Sequence, residues 1–252
     1  MINIVLAGCT GHMGRAVAAK AKTDKEVRIT AGVDVNTDYP QNFPTCTEFF
    51  QIQAPCDVII DFSSPAALGA LLEYAEEKKI PLVLCATGYT PEQTASIEKV
   101  SKQIPIFKSG NMSLGINLLA ELVRRACAFL GSEYDVEIVE KHHRRKIDAP
   151  SGTALLLADA AASALPYEPY YVYDRSTARK PRTGPEIGIS SVRGGTIVGE
   201  HEVIFAGPGE VLKLSHSAAS RDIFAAGAIK AAKFILQTKK TGLYDMSDML
   251  ES

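Results

Sequence analysis

The chain has 252 residues, of which 46% are hydrophobic, and its formal net charge at pH 7 is -2. This length and composition suffice for one large buried core or two smaller ones. The balanced charge argues against non-specific binding of nucleic acid through a basic face. Neither a long apolar run nor a signal-like first segment occurs, so we expect no membrane span and no export. The five cysteines are odd in number and form no C-x-x-C pair, which favours reduced thiols in a cytoplasmic protein.

A glycine-rich turn follows the first predicted strand. Residues 2–7 form a short apolar run, residues 8–14 have the spacing G-x-x-G-x-x-G, and a helical pattern over 15–22 follows. In a strand–turn–helix unit of this kind, glycines let the backbone approach a pyrophosphate, and the positive end of the helix stabilises its charge. The spacing differs from the commoner G-x-G-x-x-G, so a purely structural tight turn is the alternative interpretation.

An acidic residue at the end of the second predicted strand favours the nucleotide interpretation. That strand spans residues 27–33 and is followed by Asp34, about 20 residues beyond the last glycine. At this separation a carboxylate accepts hydrogen bonds from the ribose hydroxyls of an adenosine. Neither Arg nor Lys stands beside Asp34 to neutralise a 2′-phosphate, so we predict that NADH is used at least as well as NADPH.

Strands and helices continue to alternate through the first half of the chain. The segment 39–55 has no clear period, and we expect a loop with at most a short helix. Ser64 before Pro65 predicts a helix N-cap. Alternation of this kind implies a parallel, doubly wound sheet. The predicted elements are strands over 56–62, 80–85 and 105–108, and helices from residue 65 and over 91–101.

Ligands of doubly wound sheets bind at the carboxyl ends of the strands, so the residues that follow the predicted strands are candidates for holding the nucleotide. Phe62 and Ser63, at the end of the strand over 56–62, belong to the same edge. For Phe62 or Met112 taken singly, packing in the core is the alternative. The candidate cofactor-binding residues are Gly8, Cys9, Thr10, Gly11, His12, Met13, Asp34, Cys85, Ala86, Thr87, Ser109, Gly110, Asn111 and Met112.

The pattern changes beyond a long amphipathic helix predicted over 114–130. Glycine-containing turns at 194–195 and 207–209 separate the later strands, which predicts antiparallel hairpins. The segment 167–185 has no period and is expected to be an irregular excursion. The predicted elements are a strand over 134–140, a helix from Gly152 to near Pro166, strands over 187–193, 196–206 and 211–217, a helix over 221–237, and a closing segment from Gly242 that packs on the first domain.

These elements predict an α/β protein with a Rossmann-like doubly wound parallel sheet and a second α+β domain with an open mixed sheet. We expect a dinucleotide-binding domain of residues 1–113 completed by 221–252, and a substrate-binding and oligomerisation domain of residues 114–220. Four apolar side chains on the second sheet would be poorly placed in water, which predicts an oligomer interface. Cover by the chain's own helices is the alternative. The four are Ile197, Val203, Phe205 and Leu212.

A basic loop precedes the helix that begins near Gly152. Residues 140–154 read Glu-Lys-His-His-Arg-Arg-Lys-Ile-Asp-Ala-Pro-Ser-Gly-Thr-Ala, with two histidines and four cations before a Pro-Ser-Gly-Thr turn. Ser151 or Thr153 can cap the helix, and the backbone N–H groups of Gly152 and Thr153 would face an arriving carboxylate or phosphate. One loop could therefore bind an acidic substrate and protonate it. A solvated basic loop or a nucleic-acid patch is the alternative, and no Cys or carboxylate stands at a metal-ligand spacing beside the histidines.

This loop resembles the signature E-x-H-H-x-x-K-x-D-A-P-S-G-T-A of the 4-hydroxy-tetrahydrodipicolinate reductase family. The similarity extends over nearly the whole chain. Its supporting parts are Gly8 to Gly14, Asp61-Phe62-Ser63, Asn111-Met112-Ser113, residues 197–201 and the closing residues 242–250.

The resemblance implies reduction of 4-hydroxy-tetrahydrodipicolinate (dihydrodipicolinate) to tetrahydrodipicolinate with NADH or NADPH, in lysine and diaminopimelate biosynthesis. A hydride would pass to C4 of this small cyclic dicarboxylate, and protonation would follow. The resemblance also implies a homotetramer formed through the sheet of the second domain. The residue roles it implies are proton donor and acceptor for His142, second proton donor for Lys146, and substrate binding for His143, Ser151, Gly152 and Thr153.

Two positions depart from the family pattern, and two other functions stay open. Residues 85–88 read Cys-Ala-Thr-Gly in place of Gly-Thr-Thr-Gly, so we expect backbone contacts at Ala86. His12 stands where an arginine is common, which weakens a charge contact to the pyrophosphate. A dehydrogenase acting on a semialdehyde would need a positioned thiol, and none of the five cysteines stands next to His142. A regulator that binds NADH without chemistry would leave His142 and Lys146 unexplained.

Overall fold

The structure is a computed structural model, and it describes residues 1–177, 179–238 and 240–252. The chain forms two compact units. The first unit comprises Met1–Leu114 and Asp222–Ser252, and the second unit comprises Gly115–Arg221. No helix in the described ranges is long and apolar enough to cross a membrane.

Strands and helices alternate along the first half of the chain, and strands predominate in the second. The strands are β1 (Ile2–Ala7), β2 (Val27–Val33), β3 (Thr45–Cys46), β4 (Val58–Asp61), β5 (Leu82–Leu84), β6 (Pro105–Lys108), β7 (Asp135–His142), β8 (Tyr170–Tyr173), β9 (Glu186–Arg193), β10 (Gly199–Gly207), β11 (Glu210–Ala218) and β12 (Gly242–Tyr244). The α-helices are α1 (His12–Ala21), α2 (Leu68–Lys78), α3 (Pro91–Ser101), α4 (Leu114–Leu130), α5 (Gly152–Ala162), α6 (Asp222–Gln237) and α7 (Met246–Glu251).

The first unit is built on a parallel sheet with helices on both faces. Its strand order is β12-β6-β5-β4-β1-β2-β3, and the neighbouring strands pair in parallel. Because side chains alternate between the faces of a strand, Leu6 packs with α1 and α6 in one core, while Val5 packs with α2 and α3 in the other. The predicted doubly wound parallel sheet is therefore confirmed. It brings the carboxyl ends of β1, β2, β4, β5 and β6 to one edge.

The last residues of the chain complete this unit. β12 pairs in parallel with β6, and α7 places Met246 and Met249 in the same core as α1 and α6. Lys233 on α6 lies 2.7 Å from Asp24 and 2.6 Å from Glu26, two carboxylates that follow α1. The expectation that the closing segment packs on the first part of the chain is confirmed.

The second unit combines a mixed five-stranded sheet with two helices. Its strand order is β11-β10-β7-β9-β8. The central strand β7 is antiparallel to β10 and parallel to β9. Helices α4 and α5 cover one face, where Val123, Ile138 and Leu157 are fully buried. The predicted open mixed sheet is confirmed.

The hairpin predicted at Gly194-Gly195 is wrong, because β7 lies between β9 and β10. The two glycines carry the chain past the end of β7. There Gly194 N–H donates to His142 O at 2.9 Å, and Arg144 N–H donates to Gly195 O at 3.3 Å. The connection over residues 194–198 can span the roughly 10 Å between strands separated by one neighbour. Turn residues alone therefore did not decide which strands pair.

Two of the four side chains predicted at an oligomer interface are covered by the unit's own helices. Val203 and Phe205 are fully buried, because alternation along β10 turns the odd-numbered residues toward α4 and α5. For this pair the alternative drawn from the sequence is correct. Leu212 on the edge strand β11 is 42% exposed, and Ile197 is half-buried in the connection before β10.

Three local predictions also need correction. The segment 39–55 contains β3 besides a short 3-10 helix, and 167–185 contains β8, whose Tyr-Tyr-Val-Tyr sequence suits a strand. Both strands are short and lie at the edges of their sheets, so they carry little periodic signal. Ser64 precedes a helical segment as predicted, but that segment opens as a 3-10 turn over Pro65–Ala67 and the Ser64 side chain makes no capping hydrogen bond.

Gly227 is a position in α6 where a side chain has no space. A Cβ there would lie 1.7 Å from Met112 O. We expect Gly227→Ala to lower the free energy of unfolding by about 2 kcal/mol, because two backbone segments must move apart, and urea denaturation measures this change.

Gly69→Ala on α2 is the matched control for that substitution. A Cβ at Gly69 would meet nothing within 4 Å. The better helix propensity of alanine should therefore leave stability unchanged or raise it by up to about 1 kcal/mol. Equal stability of Gly227→Ala and the wild type would contradict the close approach of α6 to Met112.

Candidate active site

The glycine turn after β1 brings the backbone close to the segment that follows β4. At Gly8, whose φ is +72°, a Cβ would lie 2.6 Å from the carbonyl of Phe62. At Gly14 it would lie 2.1 Å from Gly8 O. Both positions therefore require glycine. Helix α1 begins at His12 directly after the turn, so its first N–H groups have no partner within the helix and suit an anion.

A pocket of about 320 Å³ lies beside this turn at the carboxyl end of the sheet. Asp34 forms part of its wall, where its Oδ2 accepts from Thr10 N–H at 2.9 Å and its Oδ1 accepts from Asn36 N–H at 3.3 Å. The carboxylate is held against the glycine turn and keeps lone pairs for further donors, such as ribose hydroxyls. Other lining residues are Gly8, Gly11, Thr47, Phe49, Ser63 and Ser64.

Several residues of this pocket are absent from the sequence prediction. Thr47 and Phe49 follow β3, a two-residue strand that hydrophobic periodicity cannot reveal. Ser63, which follows β4, is among the residues that the sequence predicts at this edge, whereas its neighbour Ser64 is not.

Two further predicted loops adjoin at the same edge of the sheet. Residues 85–87 follow β5, and residues 109–112 follow β6. A Cβ at Gly110 would lie 3.4 Å from Thr87 Cγ2, so the two loops are in contact. Ser109 Oγ donates to Asn111 O at 2.9 Å and accepts from Asn111 N–H at 3.2 Å, which fixes the second loop.

Some of the predicted cofactor-binding side chains are buried in the core. Cys9 is 0% exposed and Met112 is 2% exposed, and both pack in the core with α6. Burial, together with the nearby Asp34 carboxylate, raises the pKa of the Cys9 thiol to about 11. Cys85 and Ala86 are buried as well. At Cys9 and Met112 a nucleotide would therefore meet the backbone and not the side chain.

The features at this edge fit a dinucleotide. Close backbone approach and a helix N-terminus suit a pyrophosphate, and the carboxylate of Asp34 suits ribose hydroxyls. The pocket beside them has the size and the mixed apolar and polar lining of a small-ligand site.

In the second unit, β7 leads into the predicted catalytic loop. Alternation along β7 places Glu140 and His142 on the helix-covered face, and both side chains are buried. His142 Nδ1 lies 2.6 Å from Glu140 Oε2. Glu140 is absent from the residues predicted for the site. The signal that points to it is a carboxylate two positions before a histidine in a strand, because residues i and i+2 share a face.

Glu140 has further partners on β9 and α5. Arg193 donates to Oε2 at 2.7 Å and to Oε1 at 2.6 Å through its two terminal nitrogens, and Ser151 N–H donates to Oε1 at 3.1 Å. Burial alone would raise the pKa of the Glu140 carboxyl, but hydrogen bonds from Arg193 and His142 lower it to about 2. The carboxylate is therefore ionised at neutral pH and joins β7, β9 and the start of α5.

Of the two residues predicted as possible caps of α5, Ser151 is the one that caps the helix, and it also contacts a second buried histidine. Its Oγ accepts from Ala154 N–H at 3.2 Å and lies 3.1 Å from His201 Nε2. The rings of His201 and His142 meet edge to face, with centroids 5.2 Å apart. Burial and the neighbouring His142 lower the pKa of His201 to about 4, so His201 is neutral at physiological pH. Its place in the site depends on β10 lying beside β7, which the sequence did not predict.

The first turn of α5 offers backbone donors and open space. The helix begins at Gly152, so Gly152 and Thr153 carry its first N–H groups. A Cβ at Gly152 would meet nothing within 4 Å. An anion beside Gly152 would also be stabilised by the positive end of the helix dipole.

The loop after His142 is held by contacts with basic residues. Lys146 Nζ lies 2.9 Å from Asp148 Oδ2, and Lys146 N–H donates to His143 O at 3.1 Å. Arg221 Nη2 lies 3.4 Å from His143 Nε2. Burial lowers the pKa of His143, and the charges of Arg221 and Arg145 lower it further. Arg221 is absent from the prediction, because no local pattern connects it to a loop so distant in the sequence.

The residues predicted for the site thus form two sets, one in each unit. The nucleotide set follows the parallel strands of the first unit, and the substrate set surrounds the end of β7 and the start of α5 in the second. Within the described ranges, no group of three or more His, Cys, Asp or Glu residues is arranged to hold a metal ion.

Known proteins match both parts of the chain. Residues 2–112 match the family described as dihydrodipicolinate reductase, N-terminus, and residues 115–250 match dihydrodipicolinate reductase, C-terminus. A 4-hydroxy-tetrahydrodipicolinate reductase from Caldanaerobacter subterraneus subsp. tengcongensis is 51% identical over 251 residues, which cover 100% of this chain and 99% of the relative. A protein of the same name from Clostridium tetani is 48% identical and covers 100% and 98% of the two chains.

A solved structure shares the fold. It is the dipicolinate-bound dihydrodipicolinate reductase from Paenisporosarcina sp. TG-14, with a TM-score of 0.81 and 23% sequence identity over 97% of each chain. The predicted Rossmann-like fold with a second mixed sheet is therefore matched over nearly the full length of both proteins.

The lowered pKa of Glu140 predicts a pH-dependent contribution to stability. The stabilisation is complete above the ordinary pKa of 4.5 and is lost as the pH falls through about 2. We expect Glu140→Gln to lower the free energy of unfolding by about 3 kcal/mol at neutral pH, and this difference should shrink on acidification below about pH 4.5. Urea unfolding of both proteins at a series of pH values measures it.

Glu200→Gln is the control for this measurement. Glu200 forms a 3.0 Å ion pair with Lys141, and both side chains are more than a third exposed. Removing an exposed pair should change stability by at most about 1 kcal/mol. A stability difference between the wild type and Glu140→Gln that does not change with pH would contradict the assigned ionisation of Glu140.

Proposed function

The chain belongs to the dihydrodipicolinate reductase family, and we propose that its second unit binds and protonates the substrate while its first unit holds the reduced cofactor. The reaction is the NAD(P)H-dependent reduction of 4-hydroxy-tetrahydrodipicolinate to tetrahydrodipicolinate, in lysine and diaminopimelate biosynthesis. The observation that carries the residue assignment is the contact of one buried carboxylate, Glu140, with both His142 and the start of α5.

The substrate is a small dicarboxylate, and the second unit offers donors for two negative groups. The N–H groups of Gly152 and Thr153 at the start of α5 would bind one carboxylate, and Ser151 fixes that turn through its capping bond. His143 and Lys146 on the preceding loop would bind the rest of the dianion. A dianion explains why basic side chains and a helix N-terminus occur together here.

Proton transfer is assigned to His142, with Lys146 as a second donor. An imidazole nitrogen can both accept and donate a proton, which is the chemistry this role requires. Burial of His142 against Glu140 fixes the direction of its ring. Lys146 is a cation that would offset the negative charge arriving on the ring with the hydride.

The first unit supplies the cofactor site. A reduced nicotinamide, when bound, supplies the hydride. The backbone of Gly8, Gly11 and the start of α1 would hold the pyrophosphate, and Asp34 would bind the adenosine ribose. The loops 85–87 and 109–112 meet at the same sheet edge and are the remaining candidate contacts.

We propose a cytoplasmic location and a homotetramer formed through the sheet of the second unit. All five cysteines are free thiols, which suits a reducing compartment. The edge strand β11 exposes 57% of Val211 and 42% of Leu212. An exposed apolar edge strand is a surface that oligomers commonly cover. Sedimentation of the purified protein measures the oligomer size.

A semialdehyde dehydrogenase is disfavoured by the second unit. Such an enzyme needs a reactive thiol, whereas Cys127 is 1% exposed and burial raises the pKa of its thiol to about 11. A regulator that binds the cofactor without turnover is distinguished from a reductase by an activity assay.

The reductase activity is tested by following the loss of the reduced nicotinamide by its absorbance, with freshly synthesised 4-hydroxy-tetrahydrodipicolinate as substrate. We expect turnover by the wild type and a decrease of about 10²-fold or more in kcat for His142→Gln and Lys146→Ala. Cofactor binding should remain nearly unchanged in both variants, because each residue lies outside the cofactor site of the first unit.

Lys141→Ala is the matched control, since it also removes a lysine from this segment. The ammonium group of Lys141 pairs with Glu200. Its kcat should stay within about twofold of the wild type, as expected for an exposed ion pair. Wild-type rates in His142→Gln and Lys146→Ala would exclude both residues from the mechanism, and cofactor binding without turnover would favour the regulator.

The carboxylate of Asp34 predicts the cofactor preference. Its charge would repel a 2′-phosphate, so kcat/KM for NADH should equal or exceed that for NADPH. Asp34→Asn keeps a side-chain oxygen for Thr10 N–H and removes the charge, and it should move the ratio toward NADPH by about tenfold, or roughly 1.4 kcal/mol. A strong preference of the wild type for NADPH would contradict this role of Asp34.

A further inference from the structure

The carboxylate next to His142 is fixed in place from three sides. Arg193 contacts both of its oxygens, and Ser151 N–H occupies a further position on Oε1. Arg193 also donates to Asp148 O at 2.7 Å, so the guanidinium itself is anchored to the loop. Glu140 is 0% exposed. Its Oε2 therefore cannot turn away from His142 Nδ1 without breaking a bidentate ion pair.

An ionised carboxylate accepts hydrogen bonds and cannot donate them. The 2.6 Å contact between Glu140 Oε2 and His142 Nδ1 therefore requires a proton on Nδ1. In a neutral imidazole one nitrogen carries the proton and the other has a free lone pair. Nε2 of His142 is then the atom that takes up and releases a proton.

Gly199 on β10 gives the imidazole room to lie in this orientation. A Cβ at Gly199 would stand 3.1 Å from His142 Nε2, closer than side chains ordinarily pack. A larger residue there would press the ring away from Glu140 or cover Nε2. Glu140 thus fixes one end of the ring, and the absence of a side chain at Gly199 keeps Nε2 uncovered on the side of β10.

We propose that Glu140 is the positioning residue for proton transfer, because it holds His142 in the Nδ1–H tautomer and stabilises the imidazolium that donates from Nε2. Arg193 serves this role indirectly by keeping the carboxylate ionised and in place. The proposal rests on the proposed function for the role of His142 as the acid. The tautomer itself is a property of the second unit and can be tested without the reaction.

Other charged and titratable groups also lie near the His142 ring. Arg193 from β9 and Lys146 from the loop are cationic, and Asp148 pairs with Lys146. His201 from β10 meets the ring edge to face and is neutral, and His216 lies opposite His201 on β11. Glu140 is the carboxylate in direct contact with the ring.

The tautomer is measured by nitrogen-15 NMR of the wild-type protein labelled at histidine. The chain has five histidines, and the His142 signals are assigned as those lost in His142→Gln. At a pH above the ordinary histidine range, we expect Nδ1 of His142 to carry the proton and Nε2 to have the shift of an unprotonated nitrogen. An Nε2–H tautomer in the wild type would overturn the proposal, whatever the outcome of the activity assay.

Kinetics of Glu140→Gln tests the consequence for catalysis. An amide can donate to Nδ1 and so favours the other tautomer, so we expect kcat to fall by about 10²-fold or more with little change in the KM for cofactor. The pH profile of kcat should also differ from that of the wild type, because the carboxylate that contacts Nδ1 is lost. An unchanged kcat profile in a folded Glu140→Gln protein would overturn the positioning role.

Two further variants separate positioning from folding. Glu140→Asp keeps the charge for Arg193 and withdraws the carboxylate by about one methylene, roughly 1.5 Å, so its kcat should lie between those of the wild type and Glu140→Gln. Glu200→Gln removes a carboxylate from the neighbouring strand, where it pairs with Lys141, and should leave the pH profile unchanged. A wild-type kcat in Glu140→Asp, or a shifted profile in Glu200→Gln, would contradict the proposal.

Discussion

Glu140 accepts hydrogen bonds from Arg193 and Ser151 and lies 2.6 Å from His142, so a single buried carboxylate joins β7, β9, the start of α5 and the proposed acid. A buried charge is costly unless it is paired and hydrogen-bonded, and here Arg193 on β9 and Ser151 at the start of α5 supply donors in addition to His142 on the same strand. The geometry of the site therefore depends on the strand order of the second sheet. If β9 paired elsewhere, Arg193 would be absent and the carboxylate could not stay ionised beside His142.

In the first unit, the site is determined by the parallel direction of the strands. In a parallel sheet the carboxyl ends of the strands lie at one edge. The short loops that follow different strands are therefore neighbours, even where no local sequence pattern links one loop to another. Gly8 and Phe62 approach so closely that a Cβ would not fit, and Asp34 hydrogen-bonds back to Thr10. The result is a pocket lined by residues at the ends of β1, β2, β3 and β4. It suits a ligand that is bound mainly by backbone groups of the protein.

Local signals in the sequence predicted much of this architecture. α3 begins at Pro91 and ends at Ser101 as expected, because Thr90 and Gln93 form a capping box and Pro91 occupies the first turn. β2 and α4 also match their predicted bounds, since their apolar residues repeat with a clear period. Sequence patterns of this kind act over a few residues, and the corresponding elements could be predicted one at a time.

The pairing of distant elements could not be predicted in this way. Gly194-Gly195 has the composition of a hairpin turn, but hydrogen bonds to the end of β7 place it beside a strand inserted between its neighbours. Arg193 therefore reaches Glu140 across 53 residues of sequence, and His201 reaches Ser151 across 50. The family resemblance selected His142 and Lys146, whereas the contacts of Arg193 with Glu140 and of His201 with Ser151 required the observed strand order.

The start of α5 and the end of β7 together form the proposed site for the dicarboxylate, on which every other role assigned to the second unit depends. A crystal structure of the protein with dipicolinate, a planar dicarboxylate, measures this directly. We expect one carboxylate within hydrogen-bond distance of the N–H groups of Gly152 and Thr153, with the ring facing Nε2 of His142. Dipicolinate bound at another surface, or His142 with Nε2 directed into Glu140, would contradict the account.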